Sequence, residues 1–305
     1  MHISELIEDT KRYISSCQNK DYILSCQNKA TKNYIPSGYK SIDRLTSGWR
    51  TSDLIIIAAQ PYIGKTAFAL TMARNMAVDN NIPVAIFSVD TSSRHLVRRM
   101  IKSETGLSVE KITGREELEK HEWEHLDIKL KQLSHAPIYI DDSITLSIDE
   151  FRSKAIRLVS KSGIKVIIID YLQLMTGPPD LKGMSEQEYS SILKSLKEIA
   201  VVLNITIIVV SFLMRITEDE AQSNKKPDIK DLWNARVTVD NVDTLIFIHR
   251  PGIYQQERDL IQDANITIEQ RDGSIYDVQM KFLTQFLKFE DIENDELREC
   301  TSKNT

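Results

Sequence analysis

The chain is predicted to be an α/β protein: a mainly parallel sheet covered by helices on both faces, with an antiparallel C-terminal edge and a helix in front. Two observations predict this. Six short Val/Ile/Leu-rich runs alternate with amphipathic segments, as strands buried on both faces and their crossover helices must. After Ile266 the pattern changes to alternation of apolar and polar residues around Asp272-Gly273, which signals a hairpin.

Taken in order, residues 1 to about 30 read as a polar helix with Ile3, Leu6, Ile7, Tyr13 and Ile14 on one stripe. Within it, Tyr13–Lys20 (YISSCQNK) recurs as Tyr22–Lys29 (YILSCQNK), a local duplication rather than a solenoid. Ile35-Pro36-Ser37-Gly38-Tyr39 is a turn-rich entry to the main domain. The expected strands are Leu54–Ala58, Val84–Ser88, Ile138–Asp141, Val166–Asp170, Ile205–Ser211 and Thr244–His249. Helices are expected over Lys65–Val78, Arg94–Glu104, Glu116–Leu133, Ile148–Ser160 and Glu186–Leu203. Hairpin strands are expected at Ile266–Gln270 and Asp277–Phe282, and the acidic tail from Glu290 is expected to fray.

The composition is that of a globular protein, 41% hydrophobic and 27% charged. No apolar run approaches the ~20 residues of a membrane span, and no secretory signal opens the chain. Cys17, Cys26 and Cys300 are too few and odd in number for a disulfide framework, which points to a reducing cytoplasm. A net charge of −5 leaves any nucleic-acid contact to local basic residues.

Chemistry concentrates at strand ends. Leu54–Ala58 runs into Ala59-Gln60-Pro61-Tyr62-Ile63-Gly64-Lys65-Thr66-Ala67, the strand, turn and helix start of a phosphate-binding loop. In such a loop backbone N–H groups wrap phosphates, the lysine reaches the terminal phosphates and the hydroxyl sits on Mg²⁺. Ala59 stands where the generic pattern has glycine, so an ordinary turn spelling Gly-Lys-Thr is the other reading. Asp170 ends four apolar residues, where a carboxylate can hold Mg²⁺ through water. Asp90 either orients an attacking water or caps the helix after Thr91. Capping or turn roles suit Asp141 and Asp142 better than catalysis. Arg271 at the hairpin tip is either a solvated turn charge or an arginine finger for a neighbour's γ-phosphate. Arg250 either faces solvent or lies against a nucleotide. His121–His125 spells H-E-x-x-H, but on a charged surface-type helix without a third ligand it is a coincidence.

Several motifs in the same order carry a resemblance. They include Asp53–Pro61, Gly64–Leu70, Val84–Ser88, Ile138–Asp142, Ile169-Asp170-Tyr171-Leu172-Gln173-Leu174 and Gln270–Gly273. Over roughly residues 30 to 290 the chain resembles the RecA-like, P-loop NTPase motor domain of DnaB-type hexameric replicative helicases, a family that allows Ala at the first loop position. The Ile169–Leu174 stretch is highly specific to that family, which makes a RecA-like recombinase the poorer match. The resemblance implies a linker region over 1–32, an ATPase domain over 33–290 and an acidic tail over 291–305. It implies ATP and Mg²⁺ as cofactors, with Lys65 and Thr66 on phosphate and metal, Asp170 on the metal side, and Arg271 acting in trans. It further implies a homo-oligomeric ring, single-stranded DNA in the channel, other replication proteins as partners, and absence of the N-terminal domain that recruits primase in full-length relatives.

Departures accompany the match. The family's catalytic glutamate falls at Asp90, its polar phosphate-sensing glutamine at Phe212, and its lysine two residues before the finger at Glu269. Asp231-Leu232 starts a family stretch that Trp233-Asn234 does not continue, and the loops Thr176–Glu188 and Ile216–Lys226 carry more acid than base. Two functions are therefore expected: an ATP-dependent helicase motor, or a hydrolysis-impaired ATP-binding ring or adaptor.

Overall fold

The apolar runs assemble as their continuity requires, into a sheet with both faces covered. The computed structural model describes residues 34–183, 185–214, 225–254 and 259–292. The segment 1–32 with its duplication, most of the loop 216–226, and the tail from 293 lie outside the described residues. Contacts divide the chain at Ile35, and Pro36–Thr305 forms the unit that carries the sheet.

Its strands are β1 (Leu54–Ala59), β2 (Val84–Ser88), β3 (Ile138–Asp141), β4 (Val166–Asp170), β5 (Thr206–Phe212), β6 (Thr244–His249), β7 (Ile261–Gln270), β8 (Ile275–Leu283) and β9 (Lys288–Asp291). They lie in the order β9-β8-β7-β6-β1-β5-β4-β2-β3. From β6 to β3 every neighbour pair is parallel, and β6 to β9 is antiparallel. The fold is thus the mixed sheet expected, extended by β9.

All six residues of β1 are buried, because it lies inside the sheet with helices over both faces. Leu54, Ile56 and Ala58 join the core that Phe151 and Ala155 of α5 (Ile148–Ser162) and Leu193 and Leu196 of α6 (Ser185–Leu203) complete. Against the sheet also lies α2 (Lys65–Arg74), which buries Phe68 through Ala73 without interruption and so lacks a polar face. Outside it, α3 (Ser93–Thr105) buries only Leu96 and Met100, an i,i+4 pair. Among the described residues no helix is long and apolar enough to cross a membrane.

Several boundaries differ from expectation for identifiable reasons. α2 ends at Arg74 and passes into a π turn, Asn75–Asp79, as the Asn75 side chain reaches out to the Gly38 carbonyl at 2.7 Å. The helix expected from Glu116 starts at Lys120 (α4, Lys120–His135), because the Glu122 carboxylate accepts the Glu119 N–H at 2.9 Å and caps it there. Glu290 and Asp291 do not fray but belong to β9. Phe289 packs edge-on against Phe68 and Phe282, with ring centroids 5.2 and 4.9 Å apart. Asp291 accepts the N–H of Lys40 at 2.8 Å and of Ser41 at 3.2 Å, satisfying free donors at the start of α1 (Lys40–Thr46).

One carboxylate organises the opposite end of the sheet. Asp243 accepts the Leu54 N–H at 2.8 Å and the Lys197 ammonium at 2.5 Å, and pairs with Arg271 at 3.6 Å. Asp243→Ala leaves two of those donors enclosed without a partner and is expected to lower stability by about 1–3 kcal/mol. A chemical-denaturation midpoint equal to wild type would contradict this account of the strand start.

Candidate functional site

Five parallel strands deliver residues to one edge, since ligand sites in such sheets open outside the C-terminal strand ends. β1 leads into the loop Gln60–Gly64, β2 into Asp90, β4 ends at Asp170, β5 at Phe212 and β6 leads into Arg250. A cavity of about 590 Å³ opens there, with Lys65, Thr66, Asp90, Asp170 and Arg250 in its wall.

The loop turns through Tyr62 at φ 66° and Gly64 at φ 110°, and at Gly64 the backbone region excludes most side chains. A Cβ there would also press on the Phe289 ring at 3.3 Å. Tyr62, Gly64, Lys65, Thr66 and Ala67 line the cavity. Ala59, Gln60 and Ile63 do not; they are buried and serve as scaffold. The Lys65 ammonium donates to the carbonyls of Ala59 at 3.1 Å and Gln60 at 3.0 Å. Pro61 and Tyr62 are exposed, Tyr62 at 93%.

The Thr66 hydroxyl donates to Asp170 at 2.7 Å, so the two predicted metal-side residues meet directly. Asp170 is 8% exposed. Burial raises its carboxyl above the usual range, while the Thr66 hydrogen bond and the Lys65 charge pull it back. A hydroxyl and a carboxylate are hard oxygen donors, and among the described residues no group of three or more His, Cys, Asp and Glu gathers. The pair therefore suits a cation that completes its shell with water and phosphate oxygens, as Mg²⁺ does.

Arg250 is neither solvent-facing nor free. It is 5% exposed, donates to the Ile63 carbonyl at 2.9 Å and to Gln262, and lies 3.5 Å from the Phe282 ring centroid. Burial lowers its pKa to about 10. It braces the loop from behind.

Asp90 does not cap the following helix. The N–H of Ser93 goes to Asp142 at 2.8 Å instead, leaving Asp90 exposed in the cavity wall. Asp141 accepts from Ser143 and Lys154, the turn role expected. Phe212 meets Tyr171 edge-on at 6.0 Å. In the H-E-x-x-H segment His121 pairs with Glu119 and Glu122 with Lys111, in keeping with a surface helix.

Arg271 is not brought to this edge. Antiparallel register sets Gln270 beside Thr244, and parallel register sets Thr244 beside Ile55. It therefore stands at the N-terminal end of β1, about 20 Å from the loop at ~3.3 Å per strand residue. Sequence reasoning missed Arg99 on α3, which also lines the cavity. The available signal was its place three residues after buried Leu96, on the helix that follows Asp90.

Burial lowers the Lys65 pKa from 10.5 to about 8. The folded state thus disfavours the charged lysine, a cost fully present below pH 8 and lost as pH rises toward 10.5. Lys65→Met is therefore expected to raise the urea midpoint at pH 7, with a gain that shrinks between pH 8 and 10.5. A gain independent of pH over that interval would remove the buried-cation explanation.

Comparison with known proteins agrees with this architecture. The family model of the DnaB-like helicase C terminal domain matches residues 34–291. The chain is 38% identical over 261 residues to replicative DNA helicase DnaB of Geobacillus stearothermophilus and 36% identical to replicative DNA helicase DnaC of Bacillus subtilis. It covers 57% of each relative's length, and 85% of this chain is aligned in both. Among solved structures it superposes on a helicase-type ATPase domain with a TM-score of 0.80 at 27% identity, covering 96% of this chain and 99% of that one. A DnaB-like replicative helicase, solved in a study of its interactions with primase, gives 0.76 at 26% identity over 90% of this chain and 67% of that one. A KaiC-like protein of Pyrococcus horikoshii shares the fold alone, with a TM-score of 0.54 at 16% identity over 84% of this chain and 97% of that one. On the match across residues 34–291, this chain belongs to the DnaB-like helicase C-terminal domain family.

Proposed function

We propose that the chain is the motor of an ATP-dependent replicative DNA helicase, working in the cytoplasm as a homo-oligomeric ring. In this reading ATP is hydrolysed at subunit interfaces, and the ring, six copies by the family resemblance, translocates on single-stranded DNA alongside other replication proteins. The observation that carries it is the split of the machinery between two ends of one sheet. Lys65, Thr66, Asp90 and Asp170 share a cavity at one end, while Arg271 stands exposed at the other. Within one subunit the arginine is out of reach of that cavity; in a head-to-tail ring it faces the neighbour's nucleotide.

Each residue then has a task. The loop N–H groups and Lys65 bind the phosphates, and Lys65 exchanges the Ala59 and Gln60 carbonyls for phosphate oxygens. Thr66 and Asp170 would hold Mg²⁺, which when bound supplies positive charge at the phosphate oxygens. Asp90 orients the attacking water and accepts its proton. Of the acids in the loop 176–188, Glu188 is committed to folding it, accepting the N–H groups of Gly177 at 3.0 Å and Gly183 at 3.1 Å.

A second reading, a hydrolysis-impaired ring or adaptor, is favoured by the packing of Phe212 against Tyr171 and by the short Asp90 side chain. Both place apolar surface or empty space where a polar group would hold water. If it holds, Asp90→Glu with Phe212→Gln raises turnover while ATP affinity stays constant; unchanged turnover counts against it.

For the motor, ATP turnover is expected to rise with single-stranded DNA and to vanish in Lys65→Ala. No turnover under any DNA condition would refute the enzyme reading. Arg271→Ala is expected to bind ATP normally but lose turnover by about 10³-fold or more. Mixing it with Lys65→Ala subunits should recover activity, because each interface then draws loop and finger from different chains. Absence of recovery at every ratio would remove the trans role.

A further inference from the structure

Four cations line the cavity at the strand ends: Lys65, Arg74, Arg99 and Arg250. Three are engaged. Lys65 holds the Ala59 and Gln60 carbonyls, and Arg74 pairs with Asp79 and Glu104, each at 2.6 Å. Arg250 is locked between the Ile63 carbonyl, Gln262 and Phe282. Among the described residues Arg99 makes no hydrogen bond or ion pair, and it is exposed to the cavity.

Its backbone is nonetheless fixed. Asp142 anchors the first turn of α3 at Ser93, and Leu96 and Met100 bury the face next to Arg99. The charge acts in one direction. Arg99 favours the ionised form of Asp170, which places its field at the Thr66–Asp170 pair rather than at the outer rim.

We propose that Arg99 contacts the terminal phosphates of ATP within its own subunit, from the helix facing the phosphate loop. This rests on the nucleotide-site reading above. The guanidinium stays charged at every working pH and presents a flat fork that matches two phosphate oxygens. An uncommitted arginine on a rigid helix keeps both properties at little reorganisation cost. It also supplies a cation in cis to a site whose neighbouring subunit offers Arg271 together with Glu269, an acid.

The test is equilibrium binding of Mg²⁺ with ADP or with the β,γ-imido analogue of ATP to the full chain. Arg99→Ala is expected to weaken the triphosphate by about tenfold and ADP by less than about twofold, the loss of one charged hydrogen-bonding contact. Arg99→Lys should fall between, and Arg98→Ala, one residue away and outside the cavity lining, should match wild type. Wild-type triphosphate affinity in Arg99→Ala would overturn the proposal, as would equal losses for triphosphate and diphosphate. So would an equal loss in Arg98→Ala, which would mark a general charge effect. Lys65→Ala separates the two levels. If it too binds the analogue like wild type, the nucleotide-site reading itself has failed. If it loses binding while Arg99→Ala does not, only the role of Arg99 falls.

Discussion

The hydrogen bond from Thr66 to Asp170 ties together two strand ends that are not neighbours in the sheet. β1 and β4 are separated by β5, and the contact spans it above the strand ends at 2.7 Å. Because Thr66 is the second residue of α2, the bond fixes where that helix begins and therefore the course of the loop before it. Asp170 can be buried there because a hydroxyl and the Lys65 charge compensate part of its lost solvation. Gln173 adds a second tie across the same ends, donating to Ser211 at 2.8 Å.

Behind the loop, the antiparallel strands act as a wall. Arg250 joins the Ile63 carbonyl to Gln262 of β7 and Phe282 of β8, and Phe289 of β9 fills the space beside Gly64. Asp291 then pins β9 to α1. The C-terminal strands thus close the sheet edge and also hold the phosphate loop in shape. At the other end, Asp243 gathers the start of β1, α6 and Arg271. The sheet works as a stiff bar with one half of the chemistry at each end, which makes assembly of copies a requirement of catalysis in the proposed motor.

The departures from the family pattern lie on that frame without disturbing it. Asp90 still reaches the cavity wall, and Phe212 still ends β5. What changes is polarity and reach near the attacking water. Each ~1.4 kcal/mol of barrier is a factor of ten in rate, so these side chains set turnover while the fold and the loop remain as they are.

Much of this was legible in the residues. Strands β1, β2, β3, β4 and β6 follow from unbroken apolar runs, and Gly64-Lys65-Thr66 and Asp170 from their positions at strand ends, because these patterns are local in the chain. Local pattern also misled. The acidic tail concealed Phe289 and Asp291 as strand residues, and H-E-x-x-H imitated a metal site. Tertiary structure alone decided that Asp142 caps α3 from 49 residues away, that Arg250 braces Ile63 across 187, and that Asp291 holds Lys40 across 251. It also decided that Arg99 enters the cavity unpaired and that Arg271 lies at the far end. The physical reason is strand order: the sequence by itself determines which segments are buried, while only their arrangement in the sheet determines which strand ends, and which charges, come to stand side by side.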